Sequence, residues 1–154
     1  EDMLEFRRML EGQAAEWAAE RATEADQTRL DQAFAALNDA FLADDLETRS
    51  RADIAFHQTI GEASHNVLVG HLSAALLRLM HDNIRLNLGE LRSVPAAGSL
   101  LMRQHEAIRA AIRERKPQAA RAADRLLVEA FWYRCETAAR RLHTEFSPSD
   151  SHFS

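Results

Sequence analysis

The sequence predicts an all-α fold, an antiparallel bundle of six to seven helices, and three observations carry that reading. Gly (5) and Pro (3) are scarce while Ala, Leu, Arg and Glu abound, a composition that favours helix nearly everywhere. Apolar residues recur at helical spacing, with no period-two alternation and no Asn-Gly hairpin signal. The chain has 154 residues, 46% of them hydrophobic and 28% charged, which suits one soluble globular domain with a real core and argues against disorder.

The elements follow in order. Asp2 can cap a helix through "MLEFRRMLEGQAAEWAAERA", whose apolar side is marked by Leu4, Met9, Leu10 and Trp17. Thr23 with Asp26 three residues on is a capping-box variant, and it opens a second helix through Leu30, Phe34, Leu37 and Phe41. The polar break "ADDLETRS" leads into a third helix that ends near Ser64. Asn66 restarts the chain, and "VLVGHLSAALLRLMHDNIRLNLGELR" reads as one long periodic segment, too apolar in its first half for a surface helix. "SVPAAGS", with its Pro and Gly, is the clearest loop. A fifth helix, "LLMRQHEAIRAAIRER", stops before Pro117, which fits the first turn of a sixth helix reaching roughly Glu145. Residues 1–146 are expected to form the bundle and 147–154 a flexible polar tail.

Net charge is −5 with a pI near 5.8, which argues against a nucleic-acid-binding surface on this segment. The basic clusters at Arg113 to Lys116 and at Arg140 and Arg141 are interspersed with acids and read as solvated helix faces. The single cysteine, Cys135, cannot close an internal disulfide, as suits a reducing cytoplasm. No apolar run has the length of a membrane span, and no signal peptide is visible. The missing initiator Met leads us to expect a fragment of a longer protein.

Four features offer chemistry. Asp53 and His57 lie four apart, so a helix puts both on one face, one turn apart. They are either metal ligands or partners in a helix-face hydrogen bond. His105, flanked by Leu101 and Ile108 at helical spacing, is either a core-edge histidine bonded to a backbone carbonyl or a third ligand from a facing helix. "EASH", Glu62 to His65, matches the Glu-x-x-His pattern of di-iron bundles, but it occurs once and straddles a helix end. Arg7, Arg8 and Arg85 sit in largely apolar helices, where an arginine snorkels, pairs with an acid, or presents its fork to a ligand carboxylate. Asn83 and Asn87 bracket Arg85 with amides suited to the same oxygen-rich ligand. Nucleophilic catalysis has no support: there is no Gly-x-Ser-x-Gly elbow and no P-loop.

Taken together, "MLEFRRMLEG", "DIAFHQTIGEASHNVLVGHL", "HDNIRLNL" and "QHEAIRAAIRERKPQAARAA" resemble the C-terminal effector-binding domain of FadR-type members of the GntR family of bacterial transcription regulators. The likeness runs from about Asp2 to about Arg141 and looks nearest to regulators of pyruvate, lactate and glycolate operons. It implies a helical bundle that binds a small carboxylate of the 2-hydroxy or 2-oxo acid type in its core and forms a homodimer. It also implies a winged helix-turn-helix domain, absent from this chain, as the part that contacts operator DNA. Many such domains hold a divalent metal, among Zn, Ni, Mn and Fe, through one Asp and three His. By position these correspond to Asp53, His57, His105 and, for the last, Leu127, an aliphatic side chain where the family motif has histidine. The departure implies either that three protein ligands suffice, with water or effector completing the set, or that the metal is lost and a polar pocket remains; Arg85, Asn83, Asn87, Arg7 and Leu127 are the residues expected around the effector. It implies a sensor and not an enzyme; a non-heme metal-dependent bundle enzyme is the alternative.

Overall fold

The computed structural model describes residues 2–43, 45–91 and 95–130. Among them are seven helical segments and no strand: α1 (Asp2–Arg21), α2 (Glu24–Leu42), α3 (Leu46–Ala63), α4 (Val67–Leu79), α5 (His81–Leu91), α6 (Pro95–Arg113) and α7 over residues 117–130. The expected continuation to Glu145, the tail and Cys135 lie outside the described residues.

The starts and stops are local chemistry. The Thr23 hydroxyl accepts from the backbone N–H of Asp26, and the Asp26 carboxylate accepts from the backbone N–H of Thr23, a complete capping box for α2. Asp45 caps α3 through the N–H groups of Glu47 and Thr48, and Asn66 caps α4 through that of Val69. At the end of α6, Lys116 N–H bonds to the Ala111 carbonyl and Arg115 N–H to that of Ile112, with Arg115 at φ 59°. That is a Schellman stop with a left-handed arginine where glycine is usual.

Two expectations are corrected. The long segment after Asn66 is two helices, broken at Met80 (φ −93°, ψ 0°). No Pro or Gly marks the break; it lets α4 pack on α1 and α3 while α5 packs on α3 and α6. "SVPAAGS" is no loop from Pro95 onward, because Pro95 opens α6 and its missing N–H costs nothing at a helix start.

α3 is the hub, packed against α1, α2, α4 and α5, and α6 lies on α1 and α2. The core runs through Leu30, Leu37, Phe56, Ile60, Leu77, Ile84, Leu88, Ile108 and Ile112, each at most 2% exposed. α1 contributes small side chains, Ala14, Ala15, Ala18 and Ala19, which allow close approach of its neighbours. At Gly61 an added Cβ would lie in van der Waals contact with Ser73 Cβ at 3.4 Å, so α3 and α4 pack closely there. The buried face of α1 differs from the one expected. Met9 is exposed, and the stripe facing inward is Arg7, Leu10, Glu11, Ala14 and Ala18. An arginine and a glutamate therefore enter the core.

Candidate functional site

The polar side chains of that core meet in one place. Arg7 of α1, Asp53 and His57 of α3, Leu101 and His105 of α6, and Leu127 and Val128 of α7 line a cavity of about 10 Å³, room for one water or one ion. Asp53 and His57 are there because their spacing turns both toward α6, with Phe56 between them edge-on to His57 and His105. Asp53, His57 and His105 are all buried, with ligand atoms within 4.8 Å of one another. The structure thus brings together the three residues singled out as metal ligands, and Leu127 and Arg7 with them.

The protonation of His105 follows from its neighbours. Nδ1 lies 2.8 Å from the Leu101 carbonyl oxygen, and a carbonyl only accepts, so Nδ1 carries the hydrogen. In the neutral ring Nε2 is then a bare lone pair. It stands 3.0 Å from Asp53 Oδ1, yet it is buried without an aligned hydrogen-bond partner. Two acceptors face each other at contact distance, and only a proton or a cation between them makes that favourable. A backbone carbonyl fixing the far nitrogen of an imidazole is also the usual support for a metal-bound histidine.

The electrostatics agree. Burial opposes ionisation of Asp53, but His105, with His57 and Arg7 behind it, outweighs burial and holds the carboxyl below its ordinary value. His57 is pushed down chiefly by burial, against Asp53 and Glu11, so it is the neutral base that a metal requires. Burial, with the negative charge of Glu11, raises the Asp124 carboxyl well above its ordinary value despite Arg7.

Two functional candidates escaped the sequence reading. Glu11 accepts from Arg7 Nε at 2.7 Å and Nη2 at 3.2 Å, and its Oε2 lies 3.7 Å from His57 Nδ1. Asp124, fully buried, has Oδ1 3.9 Å from the same nitrogen, and neither of its oxygens has a hydrogen-bond partner. The signal was present in the spacing. Arg7 and Glu11 share a stripe with Ala14 and Ala18, and Asp124 sits between Ala120 and Leu127 on the buried face of α7.

The amide and arginine cluster on α5 lies elsewhere. Arg85 and Asn83 are exposed, and neither lines this cavity; the side chain of Asn87 is outside the described residues. A stripe read from α5 alone could not show that Ile84 and Leu88 take its inward face. Arg8 pairs with Glu129 at 2.6 Å, joining α1 to α7.

A helical bundle around a buried carboxylate–imidazole centre defines the class, and comparison with known proteins supplies the family. The family described as FCD domain matches residues 2–130. The chain belongs to this family, the FCD domain of GntR-family transcription regulators, whose role is effector sensing. It is 32% identical over 107 residues (70% of the chain, 40% of the relative) to an Escherichia coli K12 protein named for regulation of the L-lactate dehydrogenase operon. It is 32% identical over 127 residues (80% and 50%) to the Glc operon transcriptional activator of the same strain. To the galactonate operon transcriptional repressor of that strain it is 33% identical over 120 residues (77% and 49%). The solved structure of Streptococcus agalactiae GntR superposes with a TM-score of 0.72 at 26% identity, covering 88% of this chain and 57% of that one. The chain thus spans about half, or less, of the length of the curated relatives it matches.

Proposed function

We propose that this chain is the effector-sensing domain of a bacterial transcription regulator, and that its effector is a small carboxylate of the 2-hydroxy or 2-oxo acid type. The observation that supports it most is His105 Nε2, buried without an aligned hydrogen-bond partner and 3.0 Å from Asp53 Oδ1, beside an ion-sized cavity. The donor set of one carboxylate and two imidazoles suits Zn, Ni, Mn or Fe(II). Asp53, His57 and His105 would hold the ion, and Leu127 leaves its fourth position to water or effector. A bound ion of this kind supplies a Lewis-acidic anchor for adjacent carboxylate and hydroxyl or keto oxygens.

The chain's own residues supply the rest. Arg7, on the cavity wall and held by Glu11, is the cation among the described lining residues that we assign to the effector carboxylate, in place of Arg85, which is exposed. The cavity is smaller than any organic acid, so an effector must part the Leu101, Leu127 and Val128 side chains. Binding then favours a different packing of α1, α3, α6 and α7, which is how occupancy would be reported to attached parts. GntR-family regulators bind operator DNA through an N-terminal domain and often dimerise. Exposed Val67, Leu68, Leu72 and Leu79 on α4 support a homodimer. The relatives are transcription regulators, which favours sensing over the enzyme alternative. Among the described residues no helix is long and apolar enough to cross a membrane.

Thermal melting of metal-stripped chain tests this. Zn or Ni should raise Tm, and lactate, glycolate or pyruvate should raise it further only when metal is present. Arg7→Lys should lose most of the acid-dependent rise. An acid-dependent rise that is indifferent to metal and to Arg7→Lys would overturn the reading.

A further inference from the structure

Asp124 has no structural employment. It sits mid-helix on the buried face of α7, 0% exposed, with both carboxylate oxygens lacking a hydrogen-bond partner. Leaving such a group unsatisfied is costly, and an apolar residue at that point would pack without the cost. What it faces is the far side of His57. His57 Nδ1, Glu11 Oε2 and Asp124 Oδ1 come from α3, α1 and α7, and the three ligand atoms lie within 4.8 Å of one another, all buried.

We propose that Glu11, His57 and Asp124 form a second cation site, adjoining the first and sharing His57, which takes one divalent ion of oxygen-preferring character such as Mn²⁺. Two carboxylates and one imidazole are the donor set such an ion prefers. The separations of 3.7 Å and 3.9 Å from His57 Nδ1 are a few tenths looser than the roughly 3 to 3.5 Å between donors on one ion at metal–ligand distances of about 2.1 Å. Arg7 occupies one lone pair on each Glu11 oxygen and holds the carboxylate in place; the second lone pairs remain for an ion. Asp124 lies one helical turn before Leu127 on the same buried face of α7.

Charge limits the occupancy. Among the described residues, Glu11 and Asp53 stand against Arg7, and binding of an ion would release the Asp124 proton, so that one divalent ion balances the three carboxylates and the arginine. The two sites therefore compete for a single ion and do not fill together. This inference stands beside the proposed function and does not need the effector.

The probe is Mn²⁺ alone, titrated into the metal-stripped chain, with pulsed EPR to count coupled imidazole nitrogens. Asp53→Asn disables the first site with little change of shape. Asp53→Asn is expected to bind one Mn²⁺ coupled to one imidazole nitrogen. Adding Asp124→Asn should weaken that binding about tenfold or more. Should Asp53→Asn not fold by circular dichroism, His105→Gln serves the same purpose. Absence of Mn²⁺ binding in the disabled chain, two-nitrogen coupling, or indifference to Asp124→Asn each overturns the second site. Asp124→Asn alone keeps the first site, so a retained metal- and acid-dependent rise in Tm there would leave the proposed function standing. One-nitrogen binding in Asp53→Asn, with no acid-dependent rise in the parent, would sink the proposed function and leave this site.

Discussion

Two of the aspartate–histidine pairs among the described residues are opposites. Asp26 and His65 meet at 2.6 Å where the start of α2 touches the α3–α4 turn. Asp26 also accepts from the Thr23 backbone N–H and hydroxyl, each at 2.8 Å, and pairs with Arg29. The His65 side chain is 47% exposed, so water supplies whatever that ring lacks. Asp53 and His105, by contrast, meet at 3.0 Å with side chains 7% and 0% exposed and no aligned hydrogen bond between them. The first pair fastens a turn, and every group in it is satisfied. The second is buried and misaligned beside His57, an arrangement that packing alone does not reward. Identical residue types thus make a cap in one place and the proposed ligand site in the other, and what separates them is whether their lone pairs are used.

The sharpest way to break the comparison is His105→Phe. It removes the Nε2 lone pair while filling the small cavity, so divalent-metal affinity should fall by about 100-fold or more while Tm holds or rises. Calorimetric titration beside a melting curve reads both, and a large fall in Tm at unchanged metal affinity would make the centre structural.

Leu127→His comes next. It lines the same cavity, and an imidazole there should tighten Zn or Ni binding about tenfold, since a tethered ligand loses less entropy than a free one. His57→Ala in that background should reverse the gain. Unchanged affinity with a lower Tm would mean that an added ring at 127 finds no ion.

Asp26→Asn should act on stability alone. Burial opposes ionisation of Asp26, but hydrogen bonds from the Thr23 backbone, from His65 and from the Thr23 hydroxyl outweigh it and hold the carboxyl at about 2. A lowered carboxylate stabilises the fold above its unfolded value near 3.8 and loses that contribution as pH falls through about 2. Asp26→Asn should therefore cost roughly 1–2 kcal/mol at neutral pH, and the difference should shrink between about pH 4 and pH 2. Its metal affinity should match the parent's; a change there would couple the two pairs.

Arg85→Ala should be the mildest. Exposed on α5 and away from the cavity, it should shift stability by no more than about 0.5 kcal/mol and leave acid-dependent stabilisation intact. Loss of that response would return the effector carboxylate to α5.

The fold was largely legible because its signals are local: Thr23, Asp45 and Asn66 announce starts, and apolar spacing announces helix. The break at Met80 was not, since nothing in its neighbours forbids continuation and only packing on different partners divides α4 from α5. At the centre, Asp53, His57 and His105 showed themselves by spacing and resemblance. Glu11 and Asp124 did not, because exposed Met9 drew the apolar side of α1 to the wrong face, and a lone aspartate in α7 reads as a solvent-facing residue until α1 and α3 are placed against it. Arg85 lies away from the cavity for the converse reason. Its bracketing amides make a pattern in sequence, but the inward face of α5 belongs to Ile84 and Leu88.

The most direct measurement is calorimetric titration of Zn²⁺ and Ni²⁺ into the metal-stripped chain, beside His57→Ala, which removes the one side chain common to both halves of the centre. The expected result is saturable binding of one ion per chain in the parent and its loss, by about 100-fold or more, in His57→Ala. No saturable binding in the parent, or equal binding in the two, would contradict the assignment of this buried centre to a cation.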